Sequence, residues 1–294
     1  MNLFRRGDKG EDDAPEYRYI LMLADLHVGH AFGMMPDGYT NSAGNGIELN
    51  VAQRYLWDCW QDLLEKLPQR IDTLLLVGDM VEGQNVAEEA RGLSEVDPFY
   101  QINAAAEILA PVVSRVPVVG DNRNVYIVAG SKYHVGHGRE HLLGKRIQAV
   151  PRNGRYAPMW RHIIIDDVLI ELAHHQSFTI RYATMPLERE YGFELERTGR
   201  RREALPPEVV IVRAHTHKGY RAVEERGALC VSLPAMKLQD DYAAGSKYPN
   251  RLVPDNLGAA ALKIYREPVD GYRVHPARFL YDHPAIETEV VRFE

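Results

Sequence analysis

The sequence contains little cysteine and no long apolar run. Its two cysteines, Cys59 and Cys230, lie near neither a second cysteine nor a histidine at metal-ligand spacing, so we expect two buried thiols in a reducing cytoplasm and no disulfide. A run of about eighteen apolar residues, which a transmembrane helix needs, does not occur. The opening residues, MNLFRRGDKGEDDAPEY, lack the apolar core of a signal peptide. These features predict a cytoplasmic protein with no membrane partner.

Positive charge is also in short supply. The chain has 35 Lys and Arg against 41 Asp and Glu, a formal net charge of -6. The chain as a whole therefore has no electrostatic attraction to nucleic acid or to an anionic membrane, although a local basic patch is compatible with this balance. Apolar residues make up 45% of the chain and charged residues 26%, which is typical of a globular protein.

The organisation of the chain predicts one domain. The length of 294 residues allows one large α/β domain or two small ones, and no repeat, low-complexity tract or linker divides it. We predict a disordered lead over residues 1–16 and a single domain over 17–294. A stretch rich in Gly and Asn, without periodicity, spans 29–48, and a loop of that length in a compact domain is usually functional.

Apolar periodicity predicts a mixed α/β (α+β) fold. In the first half, strands at 19–24, 73–77 and 124–129 alternate with helices at 49–67, 99–116 and 140–149, which indicates parallel pairing with helical crossovers. The second half is richer in strands, predicted at 161–166, 168–173, 209–214, 228–233, 260–266 and 272–280, with one charged helix at 187–202. The first two and the last two of these strands are predicted hairpins. We expect a sandwich of mixed sheets flanked by helices.

Five polar clusters follow apolar strands at their carboxyl ends. They are Asp25-Leu26-His27, Gly78-Asp79-Met80-Val81-Glu82, Gly130-Ser131-Lys132-Tyr133-His134, His174-His175 and His215-Thr216-His217. Ligand sites in open α/β sheets lie outside these strand ends, and alternate residues of an extended segment point the same way. Carboxylates and imidazoles suit first-row metals, and two such ions can clamp a phosphate and activate a water. The clusters therefore predict a two-metal phosphoesterase site.

This ordered set of motifs resembles the calcineurin-like metallophosphoesterase superfamily, including its phage-type and repair-nuclease members. The resemblance implies a four-layer β-sandwich flanked by helices, a bacterial or phage-infected cell as the setting, and two divalent ions, Mn²⁺ before Fe, Ni or Zn. The implied ligands of one ion are Asp25, His27 and His217. The implied ligands of the other ion are His215 and one of the two adjacent histidines, His174 or His175.

The resemblance also assigns the remaining motif residues. Asp79 would bridge the two ions, and His134 would be the catalytic histidine that assists the leaving group. Ser131 stands where the family usually has a ligand Asn and is carried over as a candidate ligand of the second ion. A hydroxyl is a poorer ligand than an amide oxygen, and two residues are inserted before the histidine, so the second metal is expected to bind less firmly. Strand alternation turns His174 and His175 to opposite faces. We favour His174 as the ligand and retain both histidines as candidates.

The implied activity is hydrolysis of a phosphate ester, and three functions are open. A phosphodiesterase or nuclease acting on DNA is favoured by the 29–48 loop, by the arginines at 197 and 200–202, and by the phage-like third motif. A phosphomonoesterase acting on a phosphoprotein or small nucleotide is favoured by the acidic net charge. A catalytically decayed binding protein is favoured by Ser131 alone. The sequence leaves the oligomeric state open.

Smaller features have two interpretations each. Lys218, Arg221 and Tyr133 lie inside or just after a motif and are candidates for substrate binding, and Tyr133 could equally pack in the core. His30 and Glu82 are candidates for orienting a ligand imidazole. The alternative for both is a solvent-exposed loop position.

Overall fold

The computed structural model describes residues 16–84, 92–135, 138–175, 208–225, 228–239 and 256–284, together with residues 189 and 192. The side chains at positions 133, 135 and 225 lie outside this description. Almost all of the predicted lead 1–16 and of the predicted helix 187–202 falls outside it as well, and so do the arginines at 197 and 200–202.

The first sheet has five strands and is mixed. Its strands are β1 (Tyr17–Leu23), β2 (Thr73–Val77), β5 (Val125–Val128), β11 (Asn256–Val269) and β12 (Tyr272–Asp282). They lie in the order β12-β11-β1-β2-β5. Strands β1, β2 and β5 are parallel, whereas β11 pairs antiparallel with both β1 and β12. The parallel part corresponds to the predicted βαβα half of the chain.

The second sheet also has five strands, in the order β6-β7-β8-β10-β9. These strands are β6 (Trp160–Ile165), β7 (Val168–Ala173), β8 (Glu208–Arg213), β9 (Arg221–Glu225) and β10 (Ala228–Ser232). The central strands β7, β8 and β10 are parallel, and the edge strands β6 and β9 are antiparallel to their neighbours. Strand β9 was not predicted from the sequence.

Four helices and a small hairpin complete the described elements. They are α1 (Val51–Lys66), α2 (Pro98–Val113), α3 (Lys132–Val135), α4 (Arg139–Arg146), β3 (Val118–Val119) and β4 (Asn122–Arg123). Helix α1 begins with a capping box, in which Asn50 accepts the backbone N–H of Gln53 and the Gln53 side chain accepts that of Asn50. Among the described residues, no helix is both long and apolar enough to cross a membrane.

Side-chain alternation along β1 builds two cores. Leu21 and Leu23 face the helices and belong to the larger apolar cluster, whereas Ile20 and Met22 face the second sheet. All four are essentially inaccessible to solvent. Each fully buried aliphatic side chain stabilises the fold by about 1.5–3 kcal/mol relative to an exposed one, so both faces of the first sheet contribute to stability.

The buried guanidinium of Arg161 connects the two sheets at their β5 and β6 edges. From β6 it donates to the carbonyl of Ile127 in β5 at 2.9 Å, and also to the carbonyls of Val150 and Tyr156 at 2.7 and 2.8 Å. Three charge-assisted hydrogen bonds offset the cost of burying the cation, and burial lowers its pKa to about 10. The side of the sandwich next to the third motif is thereby held closed.

The predicted fold class is confirmed: the chain forms a sandwich of mixed sheets with helices on the outer face of the first sheet. Predicted strands and helices that fall on described residues are present, with bounds that differ by at most four residues. Both predicted hairpins form, and their central residues, Asp166-Asp167 and Asp270-Gly271, have positive φ as a type I′ turn requires. The described residues supply three layers, and the fourth stays a prediction.

Candidate metal centre

The candidate ligands lie together at one edge of the sandwich, where the parallel strands of both sheets end. Asp25 and Asp79 follow β1 and β2 of the first sheet, whereas His174 and His215 follow β7 and β8 of the second. Parallel strands place their carboxyl ends at the same edge. As a result, Asp25 meets His217, which lies 192 positions later in the chain.

Five of the candidate ligands have a left-handed backbone. Their φ angles are 51° at Asp25, 46° at His27, 51° at Asp79, 78° at His215 and 50° at His217. Residues other than glycine rarely adopt this conformation, which costs about 1–3 kcal/mol each and persists where the surrounding structure enforces it. Five of the ten non-glycine residues with positive φ in the described part of the chain are thus candidate ligands, and such clustering is typical of functional sites.

Three ligand atoms form the first group. Asp25 Oδ1 lies 3.1 Å from His217 Nε2 and 3.7 Å from His27 Nε2, and the two Nε2 atoms are 3.0 Å apart. Asp25 and His27 are fully buried. Metal–nitrogen bonds of about 2.1 Å put neighbouring ligand atoms roughly 3.0–3.4 Å apart. The spacing of these three atoms is therefore that of a metal site.

Glu82 sets the tautomer of His27. Its Oε2 lies 2.7 Å from His27 Nδ1, and both side chains are fully buried. The Nδ1–H donates to the carboxylate, so Nε2 is the ring nitrogen turned toward Asp25 and His217. The alternative prediction, that Glu82 is an exposed loop residue, is wrong, because its loop pairs with residues after β1 and places the side chain inside.

The second group contains two buried atoms that face each other. Asp79 Oδ2 is 2.9 Å from His174 Nε2, and neither atom has another hydrogen-bond partner in the described part of the chain. The His174 Nδ1–H donates to Val77 O at 2.8 Å, so Nε2 is the ring nitrogen turned toward the carboxylate. His215 adds a third ligand atom within 4.8 Å of the others. Buried acceptors that face each other require a cation or a proton between them.

The two adjacent histidines differ in position. His174 is buried between Asp25 and Asp79, whereas His175 is exposed and its ring centroid lies 4.6 Å from that of His215. Burial and the neighbouring His174 lower the pKa of His215 to about 4, which keeps this imidazole neutral and able to ligate. The geometry brings His174, and not His175, to the Asp79 carboxylate.

The two groups are adjacent, and Asp25 lies between them. Asp25 Oδ1, which belongs to the first group, is also 3.9 Å from His174 Nε2 of the second. Asp79 Oδ1 is turned away from His174 and accepts the backbone N–H of Ser131 at 2.8 Å and its hydroxyl at 3.3 Å. The Ser131 hydroxyl thus holds the Asp79 carboxylate. The bridging role of Asp79 stays a prediction.

The electrostatics of this edge favour bound positive charge. Burial and Lys237 lower the pKa of His27, but Glu82 and Asp25 outweigh them and raise it to about 9. Burial also opposes charge on His174, but Asp79 and Asp25 raise its pKa to about 10. Conversely, burial raises the pKa of Asp79, while His174 and His27 bring it well below its usual value. The buried carboxylates therefore favour positive charge at this edge, carried either by a proton on each imidazole or by a metal cation that replaces it.

His134 lies beside the first group. Its Nδ1 is 3.2 Å from Glu82 Oε1, and its ring packs edge-on against that of His27 with centroids 4.5 Å apart. The side chain is 22% exposed, in contrast to the buried His27. Glu82 therefore contacts a candidate ligand with one oxygen and the candidate catalytic histidine with the other.

Two buried residues at this edge were not predicted from the sequence. Glu140, in the first turn of α4, accepts the backbone N–H of Met80 at 3.1 Å and that of Gly130 at 2.6 Å, which ties the second and third motifs together. Burial and Asp79 raise its pKa to about 8. Lys237 is 4% exposed, with Nζ 3.8 Å from Glu82 Oε2. The sequence signal for Lys237 is weak: a single cation inside an apolar stretch.

The remaining candidates flank the centre or point elsewhere. Tyr133 lies in α3, and its side chain is outside the description. Lys218 directly follows His217 and is half-buried. Arg221 begins β9 and donates to its neighbour's carbonyl at 2.9 Å. His30 is buried and accepts a backbone N–H through Nδ1, so an exposed loop position is wrong for it. Substrate binding by Tyr133, Lys218 and Arg221 stays a prediction.

The donor set fits divalent transition metals. Carboxylate oxygens and neutral imidazole nitrogens are ligands for Mn, Fe and Zn. Two His side chains are held by outer partners in the tautomer that ligation requires, a recurrent feature of metal sites. An ion would replace the proton between Asp79 Oδ2 and His174 Nε2, which have no other hydrogen-bond partner among the described residues.

Comparison with known proteins shows distant structural similarity only. No family model matches the chain, and no curated protein matches it. It is similar to a dimetal phosphatase from Danio rerio, with 11% identity, a TM-score of 0.41, and coverage of 90% of this chain and 99% of that one. It is also similar to Yfce, a phosphoesterase from E. coli (13% identity, TM-score 0.38, 89% and 99% covered). A third similar structure is the zinc complex of Vps29 from Entamoeba histolytica. It is 14% identical to this chain, with a TM-score of 0.38 and coverage of 89% of this chain and 99% of that one. Similarity at this level carries no conclusion about activity.

Proposed function

We propose that the chain is a metal-dependent phosphoesterase of the calcineurin-like type, which hydrolyses phosphate esters at a dinuclear centre. The observation that carries this proposal is the buried pair Asp79 Oδ2 and His174 Nε2, which face each other at 2.9 Å and have no other hydrogen-bond partner among the described residues. The first group, beside it, adds a second set of convergent acceptors. Two adjacent cation sites at a sheet edge are the arrangement that phosphoester hydrolysis uses.

Each ion would have its own set of ligands. Asp25, His27 and His217 would hold one, and Asp79, His174 and His215 the other. When bound, two divalent ions would neutralise phosphate charge and lower the pKa of a water, so that hydroxide is available at neutral pH. Mn²⁺ is the first candidate, and Fe, Ni and Zn are the alternatives. The Ser131 hydroxyl would contribute to the second site by orienting the Asp79 carboxylate, to which it donates.

His134 would act on the leaving group. Glu82 Oε1 lies 3.2 Å from its Nδ1, and the ring is partly exposed beside the first group. A histidine held in this way can protonate the departing oxygen. Glu82 positions two side chains at once, since it also fixes the tautomer of His27.

Within this chemistry we favour a phosphodiester of DNA as substrate. The long 29–48 loop and the arginines at 197 and 200–202 support a polymeric substrate, although those arginines lie outside the described residues. A phosphomonoesterase is the second candidate, supported by the net charge of -6. A decayed binding protein is disfavoured because decay would not maintain strained, mutually oriented ligands.

The test is a substrate panel with the Mn²⁺-loaded protein: bis-p-nitrophenyl phosphate, p-nitrophenyl phosphate and single-stranded DNA. We expect cleavage of the diester and of DNA, and loss of at least about a thousandfold in kcat with Asp79→Asn, which removes one buried charge from the centre. Asp167→Asn is the matched control, because it changes the same side chain in the exposed turn between β6 and β7.

Two results would contradict the proposal. Wild-type turnover by Asp79→Asn with its metal content confirmed would refute the mechanism. Cleavage of the monoester without action on DNA would refute the nuclease assignment and leave the hydrolase standing.

A further inference from the structure

Positive charge is concentrated in the segment that contains the third motif. Residues 122–165 include eight Lys or Arg and one Asp or Glu, whereas the whole chain has 35 against 41. The single acid is Glu140, which is buried and accepts two backbone N–H groups. The surface of this segment is therefore basic on a chain that is acidic as a whole, so it would attract a polyanion locally.

Five of these cations are exposed and make no ion pair in the described part of the chain: Lys132, Lys145, Arg146, Arg152 and Arg155. The other three donate to backbone carbonyls and serve the fold: Arg123, Arg139 and Arg161. We call the five exposed cations, together with Trp160, the basic edge. Exposed cations that make no ion pair gain most from contact with phosphate, because no carboxylate has to be displaced.

The basic edge begins at the candidate metal centre. Lys132 directly follows Ser131 in the chain. The carbonyl of Pro158 accepts the N–H of Ala129, just before the third motif. Trp160 pairs in register with Ala173, the residue before His174. Opposite residues of an antiparallel pair lie about 5 Å apart, so the backbone of Trp160 is next to the second group of ligands.

An aromatic and guanidinium pair lies within the basic edge. The guanidinium of Arg152 stands over the indole of Trp160, 4.3 Å from the ring centroid, and also donates to the Trp160 carbonyl at 3.2 Å. Trp160 is 38% exposed and the neighbouring Met159 is 51% exposed. Indole and guanidinium planes are surfaces on which unpaired bases stack. A peptide with acidic side chains would use the cations but not these planes.

We propose that the basic edge binds single-stranded nucleic acid and leads it to the metal centre. The inference deepens the proposed function, on which it rests, by naming the substrate class and the surface that selects it. Phosphates contact the cations from Arg155 and Arg152 toward Lys132, and a base stacks against the Trp160 and Arg152 pair. Recognition is by backbone charge and stacking, so little sequence preference is expected.

The test compares two double charge reversals with a matched control. Arg152→Glu/Arg155→Glu and Lys145→Glu/Arg146→Glu alter separate parts of the basic edge, which guards against a local folding defect in either. Arg70→Glu/Arg266→Glu makes the same change in net charge at the opposite end of the sandwich, where the two side chains are 71% and 78% exposed. The probe is a fluorescein-labelled oligothymidylate of about 20 nucleotides, longer than one site of this kind.

Fluorescence anisotropy in EDTA measures binding without cleavage. At roughly 100 mM salt we expect both edge variants to bind at least about tenfold more weakly, with the slope of log affinity against log salt shallower by about 1.4 for two lost phosphate contacts. The control should change by less than about twofold. Hydrolysis of bis-p-nitrophenyl phosphate by the Mn²⁺-loaded variants should be unchanged, because this substrate is too small to reach the four altered residues from the metal centre.

The outcomes separate this proposal from the hydrolase proposal. Equal affinity of edge variants and control, or no binding by the unaltered chain, would overturn the basic edge while diester hydrolysis stood. Binding of an acidic phosphopeptide in place of the oligonucleotide would also overturn it. Loss of oligonucleotide binding in the edge variants of a chain with no hydrolytic activity would uphold the surface and refute the hydrolase.

Discussion

The imidazole of His27 faces Asp25 and His217 because a carboxylate outside the metal set holds its other nitrogen. Glu82 does this at 2.7 Å, and the Val77 carbonyl does the same for His174 at 2.8 Å. The residue types of the ligands could be predicted from the motifs. The partners that aim them could be predicted only in part, since Glu82 lies in a motif but a backbone carbonyl has no sequence signature.

At the residue scale, metal binding should release protons. Burial opposes charge on His27 and His174, but their carboxylate neighbours raise the pKa values to about 9 and about 10, so both are protonated at pH 7 in the metal-free chain. Ligation requires the neutral ring. We expect release of about two protons for two ions bound at pH 7, with an affinity that rises with pH until it passes these pKa values.

Isothermal titration of Mn²⁺ in two buffers of different ionisation enthalpy measures this release directly. The same heat in both buffers would show that no proton leaves, which would contradict the assignment of His27 and His174 as ligands.

Two glycines that follow strands of the first sheet, Gly78 after β2 and Gly130 after β5, lie so close to candidate site residues that no side chain fits there. A Cβ on Gly130 would overlap the backbone nitrogen and carboxylate of Asp79, and one on Gly78 would overlap the His174 ring. Glycine is thus required at both positions by the close approach of the second and third motifs. The motif pattern contained these glycines, but their steric reason is visible only in the fold.

At the element scale, Gly130→Ala should displace Asp79. We expect a loss of about 1–3 kcal/mol in the free energy of unfolding, as for other overpacked sites, together with loss of the second metal. Gly46→Ala is the control, because a Cβ there meets nothing within 4 Å, and it should change stability by less than about 0.5 kcal/mol. Chemical denaturation of both variants checks this, and equal stability would contradict the close approach.

The elements themselves were predictable where they bury an apolar face. Strands such as β2, with five buried residues, stand out in the sequence. Strand β9 does not, since its residues Arg-Ala-Val-Glu-Glu are mostly polar and it forms an edge held by β10 alone. The pairing of β9 depends on its neighbour β10 and not on an apolar pattern of its own, so local periodicity does not predict this strand.

At the scale of the whole molecule, the site exists because two sheets end at one edge. His27 and His217 are 190 positions apart yet have Nε2 atoms 3.0 Å apart. The sequence predicted that separate strands would deliver ligands to one rim, and the sandwich class is confirmed. It could not predict the strand order of the second sheet or the Arg161 connection, because these depend on packing between distant segments.

The two-metal centre is tested by the metal content of three proteins after saturation with Mn²⁺ and dialysis: the unaltered chain, His174→Ala and His175→Ala. His174 is buried at Asp79, whereas its neighbour is exposed, so the pair is an internally matched control. Mass spectrometry should find about two ions per chain in the unaltered protein and in His175→Ala, and about one in His174→Ala. An unaltered chain without bound metal, or loss of an ion from His175→Ala alone, would contradict the two-metal centre described here.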